Sequence, residues 1–552
     1  MYVDSIVNNI NRINFGKGLA PQNEQSKSGQ QTNVLKKYTQ NIYPTDTVSV
    51  YREPTGDINT SWFYVSDVHG KMTKIERMIG MAKEFDSVSP SERTKLFKNN
   101  DEVAKFKVSS GDIIFGRQNN RNQVANMLLD KGDFLATALG NHEIDNTDPS
   151  NLTRLLEESS YVMLAANVDI ADESPLKPRI KKSIITEKDG VKVGIIGIAP
   201  SDMNKRVVMN DTLKDLNVYD VDKTIFAVNE EVEHLKNKGV NIIVLLSHSG
   251  SNNDKIIAQE TDGIDIIFGG HTHDLYEGIE EGQNLLYSKS GEPVILTQIG
   301  KDGEHAGILN VVFDKNGVIK KAQNNVMNVD DYNRPIIVKK EVEDIIGKAE
   351  IIGRVSYAEP APKNRLTENN PHGNLVVDAM RAELGTEIAI LNAGNIRGCF
   401  TPGEVDDRLI SDITPFADNL WVLELTEPQI VKAVKYGCNS INKPTSKPGI
   451  LLVSGMTYKY NKQGKLLELN YIDKDNKIHS ININNPDPNK KYTVAADDFI
   501  ATGGDGYLSK NKNPDFVLKK TNLDKAVLTC DYIKKLTQPI EIRNDNRVEI
   551  VE

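Results

Sequence analysis

The sequence predicts a mixed α/β protein with at least two domains, and three observations carry this prediction. The chain has 552 residues, which is more than one hydrophobic core usually organises. Between residues 62 and 274, five apolar runs of strand length end abruptly in polar residues, with helix-like segments between them. After a polar, proline-bearing stretch at residues 358–370, a second block of helix and strand patterns follows. Alternating strands and helices are typical of α/β sheets, and the second block indicates a separate α+β domain.

The composition is that of an ordinary globular protein, with 38% hydrophobic and 26% charged residues. The net charge of −10 argues against a nucleic-acid polymer as the partner. No apolar run is long enough to span a bilayer, and the first residues lack a signal-peptide pattern. We therefore expect no membrane partner and, if Met1 is the true start, a cytoplasmic protein. The three cysteines are widely spaced, which fits a reducing compartment, and the oligomeric state is left open.

The patterns divide the chain into four parts. Residues 1–50 are rich in Asn, Gln, Ser, Lys and Gly without a sustained period, which predicts a flexible polar tail. The first block of strands and helices occupies residues 51–334. Residues 335–353 have the periodicity of an amphipathic linker helix, and residues 354–552 form the second domain. The elements expected in the second domain are a helix at Gly373–Leu384, a strand at Ile388–Leu391 and alternating strands around Leu451–Tyr460.

In the first block, each apolar run leads directly into residues that can ligate a metal. The runs are Trp62–Val65, Phe106–Val108, Phe134–Leu139, Ile242–Leu246 and Ile264–Phe268. The helix-like segments of this block include Lys71–Phe85, Arg121–Leu129, Asn151–Glu158 and Val221–Lys238. Ligands in open α/β folds gather at the carboxyl ends of the strands, so we expect these polar residues to lie close together.

The strand-end residues form one coherent set of metal donors. They are Asp67, His69, Asp112, Asn141, His248, His271 and His273. Mixed imidazole and carboxylate donors suit Zn, Mn, Fe or Co better than calcium, and cysteine is absent from the set. Two divalent ions that share one carboxylate can clamp an in-line displacement at phosphorus and activate a water as the nucleophile.

The loop at residues 140–145 adds acid–base chemistry to these donors. His142 can donate a proton to a developing oxyanion, and Asp145, three residues later, can hold the imidazole charged and oriented. The alternative is a polar turn in which the two side chains merely satisfy each other. The companion loops favour the catalytic pair.

Five motifs follow one another along the chain: Asp-x-His, Gly-Asp, Gly-Asn-His-Glu, His and Gly-His-Thr-His. Together, over residues 61–332, they resemble the calcineurin-like metallophosphatase superfamily. The resemblance implies a four-layer β-sandwich flanked by helices. It also implies two metal sites that share Asp112. One site takes Asp67, His69, Asp112 and His273, and the other takes Asp112, Asn141, His248 and His271.

The second domain carries two further motifs, at residues 392–397 and 499–507, that resemble the substrate-binding domain of the 5′-nucleotidase family. Members of that family often also cleave UDP-sugars or 2′,3′-cyclic nucleotides. By this resemblance Asn392 and Arg397 bind the phosphate, with Arg365 as a looser candidate. Phe499 stacks on a base, and Asp505 accepts hydrogen bonds from ribose hydroxyls.

Two positions depart from the family pattern. The family clamps a base between two aromatic rings, one of them ahead of a Ser-Gly pair, and the matching position before Ser454 is Ile450. The loss of one ring weakens stacking by roughly 1–3 kcal/mol, which allows a different base, a sugar phosphate or a laxer substrate range. Asn395 interrupts the usual run of glycines, and we expect it to occupy a left-handed turn.

The sequence therefore predicts a dimetal phosphohydrolase that removes phosphate from nucleoside 5′-monophosphates or related nucleotides. Two alternatives use the same metals: a 2′,3′-cyclic nucleotide phosphodiesterase and a UDP-sugar or dinucleotide pyrophosphatase. A third alternative, from another class, is a non-catalytic nucleotide-binding protein. Its signature is a broken donor set, and all seven donors are intact here.

Overall fold

The computed structural model describes residues 13–14, 56–116, 118–144, 149–207, 211–443, 446–508 and 514–551. The chain divides into two compact units. The first unit comprises Met1–His69, Met78–Ile113 and Leu129–Arg334, and the second comprises Gly70–Arg77, Ile114–Leu128 and Pro335–Glu552. Both contain helices and mixed sheets, as the sequence predicted. No helix among the described residues is long and apolar enough to cross a membrane.

The first unit contains a large sheet of eight strands. In spatial order the strands are Ile13–Asn14, Ile319–Asn328, His305–Phe313, Ile58–Val65, Ala104–Ser109, Ala136–Ala138, Val162–Leu164 and Ile180–Lys181. The last five strands of this order run parallel, and the pairings before them are antiparallel. The tail predicted at residues 1–50 lies outside the described residues except for Ile13–Asn14.

A second, six-stranded sheet completes the β structure of the first unit, together with a two-stranded ribbon. The six strands in order are Leu285–Tyr287, Pro293–Thr297, Ile266–Phe268, Ile243–Ser247, Val191–Ile198 and Ser183–Lys188; the ribbon pairs Leu216–Val218 with Val168–Ile170. The four central strands of the six-stranded sheet are parallel, and each edge strand is antiparallel to its neighbour.

The two sheets of the first unit pack face to face through aromatic side chains. The ring of Phe268 in the six-stranded sheet lies 4.9 Å from that of Tyr64 and 5.8 Å from that of Trp62 in the large sheet, measured between ring centroids. The Tyr64 hydroxyl is also within 2.7 Å of the Thr297 hydroxyl across the interface. These buried contacts fix the two sheets against each other, so that loops from both can contribute to one site.

Helices cover the outer faces of both sheets and complete a four-layer arrangement. The helices of this unit, two of which begin in segments of the second unit, are Met72–Ser87, Pro90–Arg93, Asn119–Lys131, Pro149–Glu157, Met203–Arg206, Asp211–Lys214, Val221–Asn237 and Ser251–Glu260, with a 3₁₀ turn at Val329–Asp331. Phe85 packs against Phe63 of the large sheet with its ring tilted, and Val232 and Leu235 pack on the six-stranded sheet. The Asp220 carboxylate accepts the Lys223 N–H and caps one of these helices.

The predicted linker helix at residues 335–353 is shorter than the sequence indicated. The helix spans Lys339–Ile346 and ends at Gly347, whose φ of 80° is favourable only for glycine. Ile351–Ala358, which overlaps the predicted linker, is a strand paired with two others. The apolar spacing that suggests a helix is compatible with either element over so few residues, and pairing with neighbouring strands decides between them.

The second unit holds three smaller sheets. The three-stranded sheet has the order Gly403–Asp406, Ile351–Ala358 and Ile540–Ile542. The five-stranded sheet has the order Leu451–Ser454, Ile388–Asn392, Lys491–Asp497, Asn419–Thr426 and Val517–Asp524. The four-stranded sheet has the order Ile478–Ser480, Leu466–Ile472, Met456–Asn461 and Val548–Val551. The helices that pack on them are Pro371–Leu384, Asp407–Ile413, Glu427–Cys438, Asp498–Ala501 and Lys525–Lys535, with 3₁₀ turns at Ala393–Asn395, Asn439–Asn442 and Gly504–Gly506. One hydrophobic cluster joins these elements.

The segments Gly70–Arg77 and Ile114–Leu128 belong to the second unit through buried polar contacts. Arg121 donates to the Asp412 carboxylate over 2.6 Å, and both side chains are almost fully buried. The same carboxylate accepts the backbone N–H groups of Met72 and Thr73, the first residues of their helix. Asp412 therefore caps a helix N-terminus and neutralises a buried guanidinium at once.

Candidate metal centre and substrate-binding residues

The seven predicted metal donors follow the carboxyl ends of five strands. Asp67, Asp112 and Asn141 come after three adjacent parallel strands of the large sheet, while the histidine donors at 248, 271 and 273 follow adjacent parallel strands of the six-stranded sheet. Five of the seven have positive φ, between 50° and 76°: Asp67, His69, Asp112, His271 and His273. Left-handed backbone costs a non-glycine residue of order 1–3 kcal/mol and concentrates at functional sites.

The two aspartates lie at the centre of the imidazole groups. The Asp112 carboxylate is 2.9 Å from His248 Nε2 and 3.6 Å from His69 Nε2. The Asp67 carboxylate is 3.5 Å from His273 Nε2 and 3.8 Å from His248 Nε2. Donor atoms of Asp67, His69 and His273 lie within 4.8 Å of one another, as do those of Asp67, Asp112 and His248. A third such cluster joins His69, Asp112 and His142. The structure thus brings together overlapping donor clusters that share Asp67 and Asp112.

Asn141 and His271, the other two predicted donors, do not belong to these clusters. Asn141 is buried, and its side-chain oxygen has no hydrogen-bond donor among the described residues. A buried carbonyl without a donor is costly in the free protein and is well suited to a cation. The His271 backbone N–H donates to Asp67 over 3.0 Å, and its ring lies 5.2 Å from that of His248.

The electrostatics of the site also suit cations. Burial opposes ionisation of Asp112, but the neighbouring His248 and His142 outweigh it and hold the pKa of that carboxyl well below its usual range. The pKa of Asp67 is lowered as well, because His248 and His273 outweigh its burial. Two buried, ionised carboxylates in one site require positive charge beside them. The donors present therefore fit divalent metal ions.

Each of three histidines has a partner on its second ring nitrogen. His69 Nδ1 lies 3.0 Å from the Asp302 carboxylate, and His271 Nε2 lies 3.0 Å from that of Asp202. His248 Nδ1–H donates to the Ser110 carbonyl over 2.6 Å. Such partners fix the tautomer and the ring orientation of a metal-binding histidine. The sequence analysis missed Asp202 and Asp302, although Asp202 follows a strand, Val191–Ile198, in the same way as the predicted donors.

Glu143 is a buried residue that holds two donor loops together. Its carboxylate accepts the backbone N–H groups of Asp112 (3.0 Å), Ile113 (2.8 Å) and Gly140 (2.9 Å). Burial raises the pKa of the Glu143 carboxyl to about 7. Because all three donors are backbone groups of the loops beside Asp112 and Asn141, Glu143 fixes the separation between those loops.

Gln298 has the corresponding role for the loop that carries His271 and His273. It is fully buried and donates to the Gly270 carbonyl over 3.1 Å. Its side-chain oxygen accepts the Asp274 N–H over 2.6 Å. One amide thus holds both ends of a loop whose histidines have strained backbone. Sequence reasoning missed Gln298, which directly follows the strand Pro293–Thr297.

His142 lies at the edge of the donor clusters and is half-buried. Its backbone N–H donates to Asp112 over 2.8 Å, and its Nε2 is 4.0 Å from the same carboxylate. Its ring is 5.1 Å from that of His69. Asp145, its predicted partner, lies outside the described residues, so the catalytic pair stays a prediction.

In the second unit, the structure brings Asn392 and Asp505 into direct contact. Asn392 ends the strand Ile388–Asn392, and its side-chain nitrogen donates to the Asp505 carboxylate over 3.1 Å. The Asn392 side-chain oxygen is buried and has no hydrogen-bond donor among the described residues. Asp505 is exposed and has a φ of 55°. An exposed carboxylate beside a buried amide oxygen offers two acceptors to hydroxyl groups of a ligand.

Arg397 is held by its own loop and by aromatic rings. Its Nε–H donates to the Gly394 carbonyl over 2.8 Å, and its guanidinium carbon lies 5.4 Å from the ring centroid of Phe416 and 5.7 Å from that of Phe115. Cation–π contacts of this kind orient the guanidinium plane. Phe416 is half-buried and was missed by sequence reasoning, which sought a second ring only at Ile450.

The two remaining predicted substrate contacts of the second unit are Phe499 and Arg365. Phe499 is half-buried in the short helix Asp498–Ala501, and a Cβ at Gly504 would lie 2.7 Å from its ring carbons, so only glycine fits there. Arg365 is half-buried as well. The next residue, Leu366, accepts the Ile450 N–H over 2.8 Å.

One expectation about the departures from the family pattern is wrong. Asn395 does not have positive φ; it ends the 3₁₀ turn Ala393–Asn395 and is buried with its side chain hydrogen-bonded. Ile450 is fully buried in the core of the second unit, and the weaker base stacking expected from the missing ring stays a prediction.

Comparisons with known proteins give two family matches. The calcineurin-like phosphoesterase family matches residues 63–275, and the 5′-nucleotidase C-terminal domain matches residues 346–510. The trifunctional nucleotide phosphoesterase protein YfkN of Bacillus subtilis is 29% identical over 461 residues, which cover 72% of this chain and 29% of YfkN. A 5′-nucleotidase-related protein of Glossina morsitans morsitans is 25% identical over 566 residues, covering 94% of this chain and 97% of that protein.

Among solved structures, the 5′-nucleotidase precursor from Thermus thermophilus has a TM-score of 0.67 at 22% identity, covering 90% of this chain and 99% of the other. At that identity the likeness supports the fold alone. The class that the fold and the site define is that of the calcineurin-like phosphoesterases, which hydrolyse phosphate esters with divalent metal ions. The order of the two family matches, a phosphoesterase domain followed by a 5′-nucleotidase C-terminal domain, agrees with the resemblance to the 5′-nucleotidase family. The resemblance and the fold class expected from the sequence are confirmed.

Proposed function

We propose that the chain is a dimetal phosphohydrolase that removes phosphate from nucleoside 5′-monophosphates or closely related nucleotides. The observation that carries the proposal is the pair of overlapping donor clusters around Asp67 and Asp112, each combining buried carboxylate with imidazole. The family match at residues 346–510 supports a nucleotide as the substrate.

In this proposal, two divalent ions bind to the seven donors, and Asp112 serves both. Asp67, His69 and His273 hold one ion with Asp112; Asn141, His248 and His271 hold the other. The ions are Zn, Mn, Co or Fe, because the donors mix imidazole, amide and carboxylate without cysteine. When bound, they supply polarisation of the phosphoryl oxygens and an activated water.

The residues of the first unit divide the remaining tasks. Asp302 and Asp202 keep the rings of His69 and His271 in one orientation. His142 lies beside the donor clusters without a strong contact from its ring to Asp112, at 4.0 Å. It stabilises and protonates the leaving oxygen, and Asp145 keeps its imidazole charged.

The residues of the second unit bind the rest of the substrate. Arg397 and Asn392 bind a phosphate, Arg365 assists them, and Asp505 accepts hydrogen bonds from ribose hydroxyls. Phe499 stacks on the base. Phe416 adds a second aromatic face next to Arg397, since its ring lies 5.4 Å from that guanidinium.

Two alternatives share the same metal centre: hydrolysis of 2′,3′-cyclic nucleotides and cleavage of UDP-sugars or dinucleotides. They differ from the main proposal only in how the second unit binds its ligand. The name of YfkN, a trifunctional nucleotide phosphoesterase, supports keeping all three reactions in the test. A non-catalytic nucleotide-binding protein would not need the paired histidines and carboxylates described above.

The test is product analysis for a substrate panel with added Mn, Co or Zn. Inorganic phosphate is measured for the monoesters, and chromatography of the nucleotides and sugar phosphates detects cleavage of the cyclic nucleotide, UDP-glucose and NAD, which by itself frees no inorganic phosphate. The panel holds the common nucleoside 5′-monophosphates, a 2′,3′-cyclic nucleotide, UDP-glucose, NAD, a sugar phosphate and p-nitrophenyl phosphate. We compare wild type with His142→Ala, and use His234→Ala as the control because His234 lies in the helix Val221–Asn237, away from the predicted donors along the chain.

We expect the fastest release from nucleoside monophosphates, a fall of about 10²–10⁴-fold in His142→Ala, and no change in His234→Ala. Faster cleavage of the cyclic nucleotide to its monoester, or of UDP-glucose or NAD to two phosphomonoesters, would replace the main proposal with the corresponding alternative. No turnover of any substrate, with metal demonstrably bound to wild type, would favour the binding protein.

A further inference from the structure

A buried polar network lies behind the proposed substrate-binding residues of the second unit. Asn395 is at its centre: its side-chain nitrogen donates to the Asp497 carboxylate over 3.3 Å, and its side-chain oxygen accepts from the Thr414 hydroxyl over 2.8 Å. Each of the three side chains is at most 3% exposed. A buried amide with both ends satisfied is a rigid cross-link between the segments that it joins.

The three segments joined by this amide each carry a proposed ligand contact. Asn395 lies between Asn392 and Arg397, and Thr414 is two residues before Phe416. Asp497 precedes Phe499, and its carboxylate also caps the helix Asp498–Ala501 by accepting the Ile500 N–H over 2.9 Å. The network therefore connects the phosphate-binding loop to both aromatic rings.

A buried lysine anchors the network from the other side. Lys525 is fully buried, and its ammonium lies 3.7 Å from the Asp497 carboxylate and 3.2 Å from that of Asp418. Removal of one partner from a buried ion pair is strongly destabilising, so Asp497 is held firmly in place. Asp497 in turn transmits this fixed position to Asn395 and to the helix that carries Phe499.

On the exposed side, the same two loops share a second link, from Asn392 to Asp505 over 3.1 Å. Asp505 is exposed, so a ligand hydroxyl can compete for its carboxylate, and a single bond of this type contributes only about 0.5–1.5 kcal/mol. Once a ligand takes over that contact, the spacing between the loops depends on the buried link from Asn395 to Asp497.

We propose that Asn395 and Asp497 are positioning residues that set the distance between the phosphate-binding Asn392–Arg397 loop and the ring-bearing Phe499–Asp505 segment. They thereby select substrates in which a phosphate and a nucleoside are separated by a fixed spacing. The inference rests on the proposed function, because it assigns a nucleotide to these two segments.

The test compares two substrates that share the reaction and differ in the nucleoside. For wild type and Asn395→Ala we measure kcat and KM for the best nucleoside monophosphate and for p-nitrophenyl phosphate, which has no nucleoside to position. Asn374→Ala is the matched control: Asn374 is a buried asparagine of the same unit that donates to Asp545 over 3.2 Å, outside this network.

We expect the ratio of the two kcat/KM values to fall about tenfold in Asn395→Ala, equivalent to about 1.4 kcal/mol, mainly through KM for the nucleotide. Turnover of p-nitrophenyl phosphate and the ratio in Asn374→Ala should not change. If Asn395→Ala does not fold, Thr414→Val removes only the hydroxyl that orients Asn395, and the ratio should move in the same direction by a smaller factor.

The outcomes separate the two proposals. A wild-type enzyme that does not prefer the nucleotide contradicts the proposed function itself. A wild type that prefers the nucleotide, with the same ratio in Asn395→Ala and Thr414→Val, contradicts the positioning role alone. An equal loss for both substrates also contradicts it, because a general loss of structure does not distinguish a nucleoside.

Discussion

The candidate metal centre and the proposed substrate-binding residues of this protein are built in different ways. The predicted metal donors lie on short loops directly after parallel strands, five of them with strained backbone, and buried groups such as Gln298 and Glu143 hold the loops. The proposed substrate residues come from segments far apart in sequence, and Asn392 and Asp505 satisfy each other. The donor loops are therefore fixed by buried groups, whereas the contact between Asn392 and Asp505 is one that a ligand hydroxyl can replace.

The largest expected effect comes from Asp112→Asn, which removes the carboxylate proposed to serve both metal ions. An amide is a poorer and uncharged ligand, so we expect loss of bound metal and a fall to background turnover for every substrate. Metal content by atomic absorption and phosphate release check this. Asp172→Asn, at a strongly exposed aspartate of the same unit, should match wild type. Full metal content in Asp112→Asn would contradict the assignment of Asp112 as the shared ligand.

Arg397→Ala tests the proposed substrate-binding residues of the second unit. A charge-assisted hydrogen bond contributes about 1.5–3 kcal/mol, so we expect kcat/KM for nucleoside monophosphates to fall about 10–150-fold. The metal content should be that of wild type, because the contacts of the Arg397 side chain with Gly394, Phe115 and Phe416 lie within the second unit. Arg543→Ala, at an exposed arginine of that unit, is the control. A loss of metal in Arg397→Ala would remove the distinction between the two regions.

A smaller effect is expected when the carboxylates next to the histidine rings are replaced. Asp302→Asn and Asp202→Asn keep the side-chain shape but remove the charge next to His69 and His271. Loss of such a partner lowers metal affinity by about 10–100-fold, and the exposure of Asp202 places it at the lower end. Competition with a metal-sensitive dye measures the affinity without turnover. Unchanged affinity in both variants would show that the rings are held by other contacts.

The metal-site residues that were predicted from the sequence belong to recognisable motifs, whereas those that were missed do not. Asp67, Asp112 and His248 follow apolar strands in recognisable groups, so strand-end position and residue type together found them. Gln298 and Asp202 also follow strands, but a lone glutamine or aspartate after a strand is common and carries no signal without its partners. Their roles depend on which loops the two sheets bring together, which is a property of the packing.

Packing explains the errors in the second unit. Asn395 was interpreted by residue type as a left-handed turn, yet it is buried and serves the polar network. The linker helix was predicted too long because Ile351–Ala358 pairs in a sheet with the distant strands Gly403–Asp406 and Ile540–Ile542. Such pairing overrides a short apolar period.

The smallest expected effect concerns Asp265, which lies at the amino end of a strand whose carboxyl end leads to predicted histidine donors. Asp265 directly precedes the strand Ile266–Phe268, and its buried carboxylate accepts the Ile243 N–H over 2.7 Å. Burial raises the pKa of Asp265 well above its usual value, in contrast to Asp67 and Asp112, whose pKa values the imidazoles lower. A raised pKa in the folded state means that ionisation favours unfolding. The stability contribution of Asp265 therefore falls as the pH rises above about 3.9, its unfolded pKa.

Asp265→Asn keeps the acceptor for the Ile243 N–H and removes the ionisation. We expect the variant to gain stability relative to wild type as the pH is raised from about 4 towards neutrality, with unchanged metal content. Thermal unfolding at a series of pH values measures the difference, and Asp169→Asn, at an exposed aspartate of the same unit, should follow the wild-type curve. If Asp265→Asn has the pH dependence of wild type, then folding does not raise the pKa of Asp265. The contrast between Asp265 and the carboxylates of the candidate metal site would then be contradicted.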